Sequence, residues 1–331
     1  MIEVKNLVKR YGSRLAVDNL SFTVEDGQIY GFLGPNGAGK TTTMNIICGY
    51  IGASAGEVFI NGKSIADEPG EAKKQIGYLP EQPPLYGDMT AREYLAFACE
   101  IKGVEKSKRA AEIERVMQTT GVAEVGDRLL KNLSKGFRQR VGLAQAIIGP
   151  PPIIILDEPT VGLDPKQIIE IRDLIKELGK NHTVILSSHI LSEVSAVCDK
   201  VMIISRGRLV ACDTPDKLER MMMGLGSLDI TARGTREQVE KVLEGLEGCE
   251  AEFKKSAREG ETEFVLHTAE GADMRERIFF AFASARLPII GMAPSRASLE
   301  EVFLDLTSDS GAQDYEAESE QGEAEDGEGE E

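Results

Sequence analysis

Gly34-Pro35-Asn36-Gly37-Ala38-Gly39-Lys40-Thr41 is the stretch that decides the fold. It fits the pattern G-x-x-x-x-G-K-[ST], in which glycines let backbone amides turn inward around a phosphate group. An apolar, extended run at residues 28–33 precedes it, and residues 41–50 follow with helical character. Strand, glycine-rich loop and helix in this order are the context that a phosphate site requires. The sequence therefore predicts a phosphate-binding loop and not a simple glycine-rich turn.

The end of the loop motif and one further segment supply the groups that the chemistry needs. Lys40 is expected to reach the β- and γ-phosphates, and the Thr41 hydroxyl to ligate Mg²⁺. The apolar run 153–156 ends in Asp157 and Glu158. Asp157 can hold the metal through its water shell, and Glu158 can polarise the attacking water as a general base. A carboxylate pair at a strand end can also cap a helix, but the upstream loop favours a site for triphosphate hydrolysis.

Apolar runs alternate with helical patterns over most of the chain. Residues 183–187 and 201–204 repeat the continuous apolar pattern of strands covered on both faces, and a helix is predicted over 165–180. This alternation predicts a mostly parallel α/β sheet. From about residue 90 to 148 the pattern is helical, and Thr90 with Glu93 forms a capping box at its start. We expect a helical insertion there between two halves of the sheet.

The C-terminal third has a different organisation. Residues 227–292 predict the order strand, helix, strand, strand, helix, strand, which is the ferredoxin-like arrangement. A short helix is expected to open at Ser298 with a second capping box. This fold is also used for ligand sensing, so a ligand-binding role and a dimer-supporting or docking role both stay open.

The net charge of −17 is unevenly distributed. Residues 308–331 contain eleven acidic and no basic residues, so the rest of the chain carries only −6. With few apolar groups, this tail is expected to be disordered, either as a solvating segment or as an arm for a basic partner. No basic stripe exists to meet nucleic-acid phosphates, so we expect no nucleic-acid partner.

Cysteine usage and hydropathy indicate the compartment. The five cysteines are far apart and form no C-x-x-C pair, which favours reduced thiols over disulfides or a zinc site. The longest apolar run, residues 278–285, is far shorter than a membrane-spanning helix, and the N-terminus lacks an export signal. We therefore expect this chain in the cytosol, touching a membrane only through another protein.

A third motif makes a family resemblance specific. Leu133-Ser134-Lys135-Gly136-Phe137, about twenty residues before Asp157, resembles the signature sequence of ABC transporter ATP-binding subunits. The similarity covers residues 1 to about 218 almost continuously. It implies ATP as the bound nucleotide, with Mg²⁺, and an ATPase coupled to transport. The positions that the resemblance assigns to ATP binding are Tyr11, which stacks on adenine, and Gly34, Pro35, Asn36, Gly37, Ala38, Gly39, Lys40, Thr41 and Thr42.

The resemblance also implies how the remaining motifs are used. Asp164 in Gly162-Leu163-Asp164 is similar to the D-loop, and His189 to the switch histidine that contacts the γ-phosphate. Catalysis would then involve Lys40, Glu158 and His189. In this family the signature serves the ATP of a second subunit, so a dimer with two composite sites is implied, with an identical chain as the expected partner. A helix N-terminus presented to a phosphate across the interface fits that arrangement.

Two departures from the usual motifs of the family indicate which of its branches this chain resembles. Glu81 stands where glutamine is usual in the Q-loop, with Gln82 one step later, and its added negative charge changes how a metal could be contacted. The signature reads LSKGF, in which Lys135 adds a cation. Both variants, and the ending at Ser298–Phe303, resemble the ABC-2-type exporters related to drug resistance and gliding motility. The metal ligands expected are thus Thr41, Asp157 and Glu81.

The expected organisation follows from these segments. We predict an ABC nucleotide-binding domain over residues 1–218 with a helical subdomain over about 88–148, a linker at 219–226, a ferredoxin-like domain at 227–307 and the tail at 308–331. The function expected is that of an exporter motor beneath integral membrane subunits, at the cytoplasmic face. The alternatives are a soluble ABC ATPase of translation or DNA repair, and a nucleotide-dependent switch with little turnover. Neither tandem ATPase domains nor long coiled coils are present to favour the former.

Overall fold

The computed structural model describes residues 1–218, 227–246, 248–254, 260–268 and 274–294. The chain divides into two compact units, of which the first contains Met1–Pro215 and the second begins at Asp216. The predicted linker at 219–226, the helix expected to open at Ser298 and the acidic tail lie outside the described residues.

A six-stranded sheet forms the centre of the first unit. Its strands are β3 (Ile29–Leu33), β6 (Ile76–Leu79), β7 (Ile153–Leu156), β8 (Thr183–Ser188), β9 (Lys200–Ser205) and β10 (Arg208–Asp213). Their order is β10–β9–β3–β8–β7–β6, parallel throughout except for β10 at one edge. Every residue of β3, β7 and β8 is buried, as continuous apolar runs require. The predicted mostly parallel α/β sheet is confirmed.

An antiparallel sheet packs into the same core. Its strands, in the order β2–β1–β4–β5, are β1 (Ile2–Tyr11), β2 (Arg14–Val24), β4 (Ala55–Ile60) and β5 (Lys63–Ser64). Helix α1 (Lys40–Ile47) follows the glycine-rich loop after β3. Met44 of α1 belongs to one buried cluster with Ile2 of the antiparallel sheet and Phe32 of the parallel sheet. The helix that carries Lys40 is therefore fixed by the core of both sheets.

The predicted helical insertion is present between β6 and β7. A short helix α2 (Pro69–Lys73) precedes β6, and the insertion contains α3 (Ala91–Ile101), α4 (Arg109–Thr119) and α5 (Lys135–Ala146). The capping box at the start of α3 is confirmed: Thr90 Oγ1 accepts from the Glu93 N–H at 3.2 Å, and the Thr90 N–H donates to Glu93 Oε2 at 2.8 Å. Lys102 donates to three carbonyls at the end of α5, which fixes that helix against α3.

The remaining helices of the first unit follow the strands that carry the expected site. Helix α6 (Pro165–Gly179) follows β7, and α7 (Leu191–Ser195) follows β8. Because β3, β7 and β8 are parallel neighbours, their carboxyl ends meet at one edge of the sheet. In open α/β sheets, ligands bind at that edge.

The second unit is an antiparallel sheet with two helices. Its elements are β11 (Ser227–Arg233), α8 (Arg236–Leu243), β12 (Cys249–Phe253), β13 (Glu261–Thr268), α9 (Arg275–Ser284) and β14 (Ile289–Pro294). The strand order β12–β13–β11–β14 and the chain order βαββαβ confirm the ferredoxin-like arrangement. Helix α8 ends at Leu243, two residues before Gly245. Over the described residues of both units, no helix has the length and hydropathy to cross a membrane.

Candidate functional site

The glycine-rich loop lies between the end of β3 and the start of α1. Gly37 and Gly39 have φ angles of 84° and 104°, a backbone region that favours glycine. At Gly34 a Cβ atom would lie 2.5 Å from the Ile204 carbonyl oxygen, so the loop is packed closely on β9. No side chain caps the first amides of α1, and its first turn contains no acidic residue. The helix N-terminus is therefore available to an anion.

Lys40 is the first residue of α1 and is almost fully buried. Its Nζ donates to the Gly34 carbonyl at 2.6 Å and lies 3.6 Å from Glu158 Oε1. The ammonium is thus held by the loop and balanced by a carboxylate, which offsets the cost of burying its charge. The Lys40 ammonium therefore lies beside the loop, where a bound phosphate would need a positive charge.

Asp157 and Glu158 follow the last residue of β7. Asp157 Oδ1 accepts from the Ser187 hydroxyl at 2.6 Å, and lies 3.4 Å from the Thr41 hydroxyl. The Ser187 Oγ also accepts from the Glu158 N–H at 2.8 Å. A single serine of β8 therefore orients both acidic residues, a contact that the motif on β7 alone does not reveal.

The Glu158 carboxylate is buried and has two partners. Beside Lys40 at Oε1, the His189 Nδ1 lies 2.9 Å from Oε2. Because a carboxylate only accepts, the proton of this bond belongs to His189. The backbone φ of Glu158 is +49°, which is uncommon for a residue other than glycine. Strain of this kind clusters at functional sites and is retained where the surroundings hold it.

The residues present fit a magnesium ion with few protein ligands. Asp157 Oδ2 is buried and has no hydrogen-bond partner among the described residues, while Thr41 Oγ1 faces the other oxygen of the same carboxylate. Mg²⁺ typically takes one or two protein oxygens and completes its shell with water and phosphate oxygens. Within the described part of the chain, no group of three or more His, Cys, Asp or Glu side chains forms a closed metal cage.

Neighbouring titratable groups stay neutral beside Asp157. Burial raises the pKa of the Cys48 thiol, and the Asp157 charge raises it further. Burial also raises the pKa of the Tyr78 hydroxyl, with the same carboxylate as the next cause. Neither group therefore adds negative charge beside the expected metal ligand.

One cavity of about 460 Å³ lies beside the glycine-rich loop, and the predicted site residues Gly34, Ala38 and Asp157 are not among the residues that line it. Of the residues predicted for catalysis, ATP binding and the metal, it brings together Tyr11, Pro35, Asn36, Gly37, Gly39, Lys40, Thr41, Thr42, Glu81, Glu158 and His189. The Tyr11 ring is half exposed, and the Lys9 ammonium lies 5.2 Å from its centroid. Arg14, Ala16 and Val161 also line the cavity and were missed, because no motif singles them out.

The signature residues lie elsewhere. Ser134 directly precedes α5 and caps it, accepting from the Phe137 N–H at 3.3 Å, and Leu133 before it is buried. Neither Ser134 nor Gly136 is among the described residues that line the cavity around Lys40. The signature is therefore separate from the phosphate loop of its own chain.

The signature instead packs on the D-loop. A Cβ at Gly136 would lie 2.7 Å from the Gln167 side chain, and one at Gly162 would lie 2.1 Å from Lys135 Nζ. Asp164 caps α6 by accepting from the Gln167 N–H at 2.9 Å. These contacts tie the start of α5 to the start of α6, next to Val161, which faces the first cavity.

Comparisons with known proteins agree with this arrangement. A family model described as ABC transporter matches residues 17–161. The linearmycin resistance ATP-binding protein LnrL of Bacillus subtilis (strain 168) is 30% identical over 311 residues, covering 93% of this chain and 98% of that protein. The bacitracin transport ATP-binding protein BcrA of Bacillus licheniformis is 42% identical over 212 residues, covering 63% and 68%.

Solved structures of ABC ATP-binding subunits are also similar to this chain. A structure of an ATP-binding subunit of an ABC transporter matches with a TM-score of 0.62 and 31% identity, covering 67% of this chain and 93% of that one. A dimeric, post-hydrolysis state of the ATP-binding cassette MJ0796 with ADP and Pi matches with a TM-score of 0.59 and 26% identity, covering 65% and 98%.

The fold and its site define a phosphate-loop ATPase of the ABC type. The chain belongs to the ABC transporter family, as an ATP-binding and ATP-hydrolysing subunit of its exporter-type branch. The predicted family, fold class and ATPase activity are thereby confirmed. Subunits of this kind dimerise and work with membrane transporter components.

Proposed function

We propose that two copies of this chain close around two Mg²⁺–ATP and so drive integral membrane subunits of an exporter from the cytoplasmic face. The observation that carries this proposal is the separation of Ser134 from the cavity that contains Lys40. On this proposal, the capped start of α5 serves no phosphate of its own chain, and the cavity around Lys40 is completed by another subunit. A second copy would bring the missing signature to each nucleotide.

Within one site, the loop amides and Lys40 bind the β- and γ-phosphates, and the ring of Tyr11 offers a face to the adenine. The Glu158 carboxylate takes a proton from the attacking water, whose oxygen bonds to the γ-phosphorus as the bond to the ADP oxygen breaks. His189, whose Nδ1 is hydrogen-bonded to Glu158 Oε2 at 2.9 Å, holds that carboxylate in position and contacts the γ-phosphate. Bound Mg²⁺ would neutralise developing charge on the phosphate oxygens, with Thr41 and Asp157 as its protein ligands.

Glu81 lies on the wall between this site and a second cavity. It lines the cavity around Lys40 and also one of about 440 Å³ lined by Gln82, Pro83 and Leu85. We assign Glu81 to the metal side of the first cavity, where its charge would favour a cation. Since the same loop continues to residue 89, it can relay the nucleotide state to a partner seated nearby.

The membrane subunits are proposed to dock where this loop meets the helical insertion. Tyr86 is 55% exposed, and its ring packs at 5.6 Å against that of Phe97 on α3. Exposed aromatic side chains of this kind are typical of protein interfaces. A short helix from a membrane partner fits a surface of this composition.

The Glu158→Gln variant tests the proposal. It should bind ATP at least as tightly as the wild type, lose turnover by about a hundredfold or more, and accumulate as an ATP-bound dimer. The dimer is measured by size-exclusion chromatography with light scattering, with and without Mg²⁺–ATP. Lys40→Ala is the matched negative control. Because it lacks the ammonium group that binds the phosphates, this variant alone should neither bind ATP nor dimerise.

Two results would argue against the proposal. Near wild-type hydrolysis by Glu158→Gln would show that Glu158 is not the general base. If Glu158→Gln binds ATP tightly, fails to hydrolyse it and stays monomeric at micromolar concentration, the proposal that two subunits share each ATP site would be wrong.

A further inference from the structure

Glu193 is a buried carboxylate near the site that the mechanism above does not use. It lies on α7 and is 5% exposed. Its Oε2 accepts a hydrogen bond from the Thr160 hydroxyl and, at 3.4 Å, one from the Ser188 hydroxyl. A buried charge is costly unless it is hydrogen-bonded, so these two hydroxyls are what make this position tolerable.

The two partners belong to the two segments that carry Glu158 and His189. Thr160 lies two residues after Glu158 and is 6% exposed. Ser188 is the last residue of β8, immediately before His189, and its Oγ also accepts from the Ile190 N–H at 3.0 Å. One carboxylate oxygen therefore joins the turn after β7 to the turn after β8.

Helix α7 fixes Glu193 to the sheet. The next residue, Val194, is fully buried, and a Cβ at Gly31 would lie only 2.0 Å from its Cγ1. Gly31 is in the middle of β3, the strand that leads into the phosphate loop. The position of Glu193 is thus set by close packing against the strand that precedes Lys40.

We propose that Glu193 is a positioning residue for ATP hydrolysis, which holds Glu158 and His189 at their hydrogen-bonding distance of 2.9 Å through Thr160 and Ser188. The inference rests on the roles proposed above for Glu158 and His189. A shift of about 1 Å in a catalytic group can cost about a hundredfold in rate, so such a positioning contact is measurable.

Removing the acceptor should slow turnover without weakening ATP binding. For Glu193→Leu we expect kcat to fall by about 10- to 100-fold, with the KM for ATP within about twofold, because the phosphate loop keeps its contacts. Thr160→Val should lower kcat less. The double variant should be no slower than Glu193→Leu alone, since both changes remove the same hydrogen bond.

Glu112 provides a matched control. It accepts from Arg115 and from the Gly149 N–H at 2.7 Å, within the helical insertion. Glu112→Leu should lower the thermal midpoint and leave kcat within about twofold. A purely structural role for Glu193 would produce this same pattern in Glu193→Leu.

The inference is overturned if Glu193→Leu keeps kcat within twofold, if kcat and ATP affinity fall together, or if the double variant shows additive losses. Should Glu193→Leu not fold, Glu193→Gln and Thr160→Val face the same requirement of a lower kcat at unchanged KM. Glu158→Gln is measured in parallel. An inactive Glu158→Gln beside an unimpaired Glu193→Leu refutes this inference alone, whereas an active Glu158→Gln refutes the general-base assignment on which it rests.

Discussion

At the scale of single residues, the Glu158 carboxylate is shared between a cation and an imidazole. Lys40 Nζ lies 3.6 Å from one oxygen and His189 Nδ1 lies 2.9 Å from the other. On the proposed mechanism, a triphosphate entering the loop competes with Glu158 for Lys40, because the phosphates carry more negative charge. Nucleotide binding would then release one carboxylate oxygen to accept a proton from water.

Ser187 orients both acidic residues, so its hydroxyl should govern how the metal is held. Ser187→Ala removes the donor to Asp157 Oδ1 and the acceptor of the Glu158 N–H. We expect the Mg²⁺ concentration for half-maximal ATPase activity to rise about tenfold, as is typical when a partner of a metal ligand is removed. The measurement is a Mg²⁺ titration of ATPase rate at saturating ATP.

Thr183→Val is the control on the same strand. Thr183 accepts from the Gly27 N–H at 2.9 Å at the opposite end of β8, so its loss should lower stability and leave the Mg²⁺ dependence unchanged. An unaltered Mg²⁺ titration in Ser187→Ala would show that Asp157 does not need this contact.

The roles of site residues could be predicted from the sequence where the residues belong to a motif with a fixed spacing along the chain. Lys40 and Thr41 follow from the loop pattern, and Asp157 and Glu158 from an apolar run that ends in two carboxylates. The contact between Ser187 and Asp157 could not be predicted, because thirty residues separate them and the register of β7 with β8 sets it. Arg14 reaches the cavity from β2 and gives no local signal.

At the scale of elements, β6 lies unusually close to the helical insertion. A Cβ at Gly77 would lie 2.2 Å from the Ala146 carbonyl oxygen and 2.9 Å from Pro151 Cγ. Since Ala146 ends α5 and β6 pairs with β7, this approach links the end of the signature helix to the central sheet. Glycine at position 77 is therefore required by space and not by φ.

Gly77→Ala should destabilise the protein by about 2 kcal/mol, because the new methyl group meets backbone atoms that cannot move aside easily. Chemical denaturation measures the change in the free energy of unfolding. Gly70→Ala on α2 is the control: nothing lies within 4 Å of its Cβ, so stability should be unchanged or rise by about 0.5 kcal/mol. Equal stabilities of the two variants would contradict this account of the packing.

Elements with a strong local pattern were predictable, and those defined by tertiary packing were not. Residues 153–156 read as a buried strand because all four are apolar, and the capping box at Thr90 located the start of α3. By contrast, β6 has only four residues with a glycine among them, so its pairing with β7 depends on contacts across more than seventy residues of chain. Propensity alone cannot specify such a pair.

At the scale of the whole molecule, the negative charge is concentrated in the last twenty-four residues of the sequence. The eleven acidic residues of 308–331 contrast with a net charge of −6 for the rest of the chain. Deleting residues 308–331 should leave basal ATPase activity within about twofold, because the catalytic residues of the proposed site all lie before residue 190 and the segment has few apolar groups with which to dock. Steady-state ATPase assays of both forms at equal ionic strength check this, and a large loss would assign the segment a part in catalysis or assembly.

On the proposed mechanism, each ATP is completed by the signature of a second subunit. Two inactive variants test it when mixed: Lys40→Ala disables the phosphate loop, and Ser134→Arg blocks the signature. In a mixed dimer, the loop of the Ser134→Arg chain would face the intact signature of the Lys40→Ala chain. One of its two sites is then whole, and the other carries both defects.

ATPase activity of the equimolar mixture is therefore the most direct measurement. Each mixed dimer has one intact site of two, so we predict ATPase activity clearly above that of either variant alone and at most about half of the wild-type rate. Activity no higher than the average of the two variants measured separately would contradict a site shared between subunits.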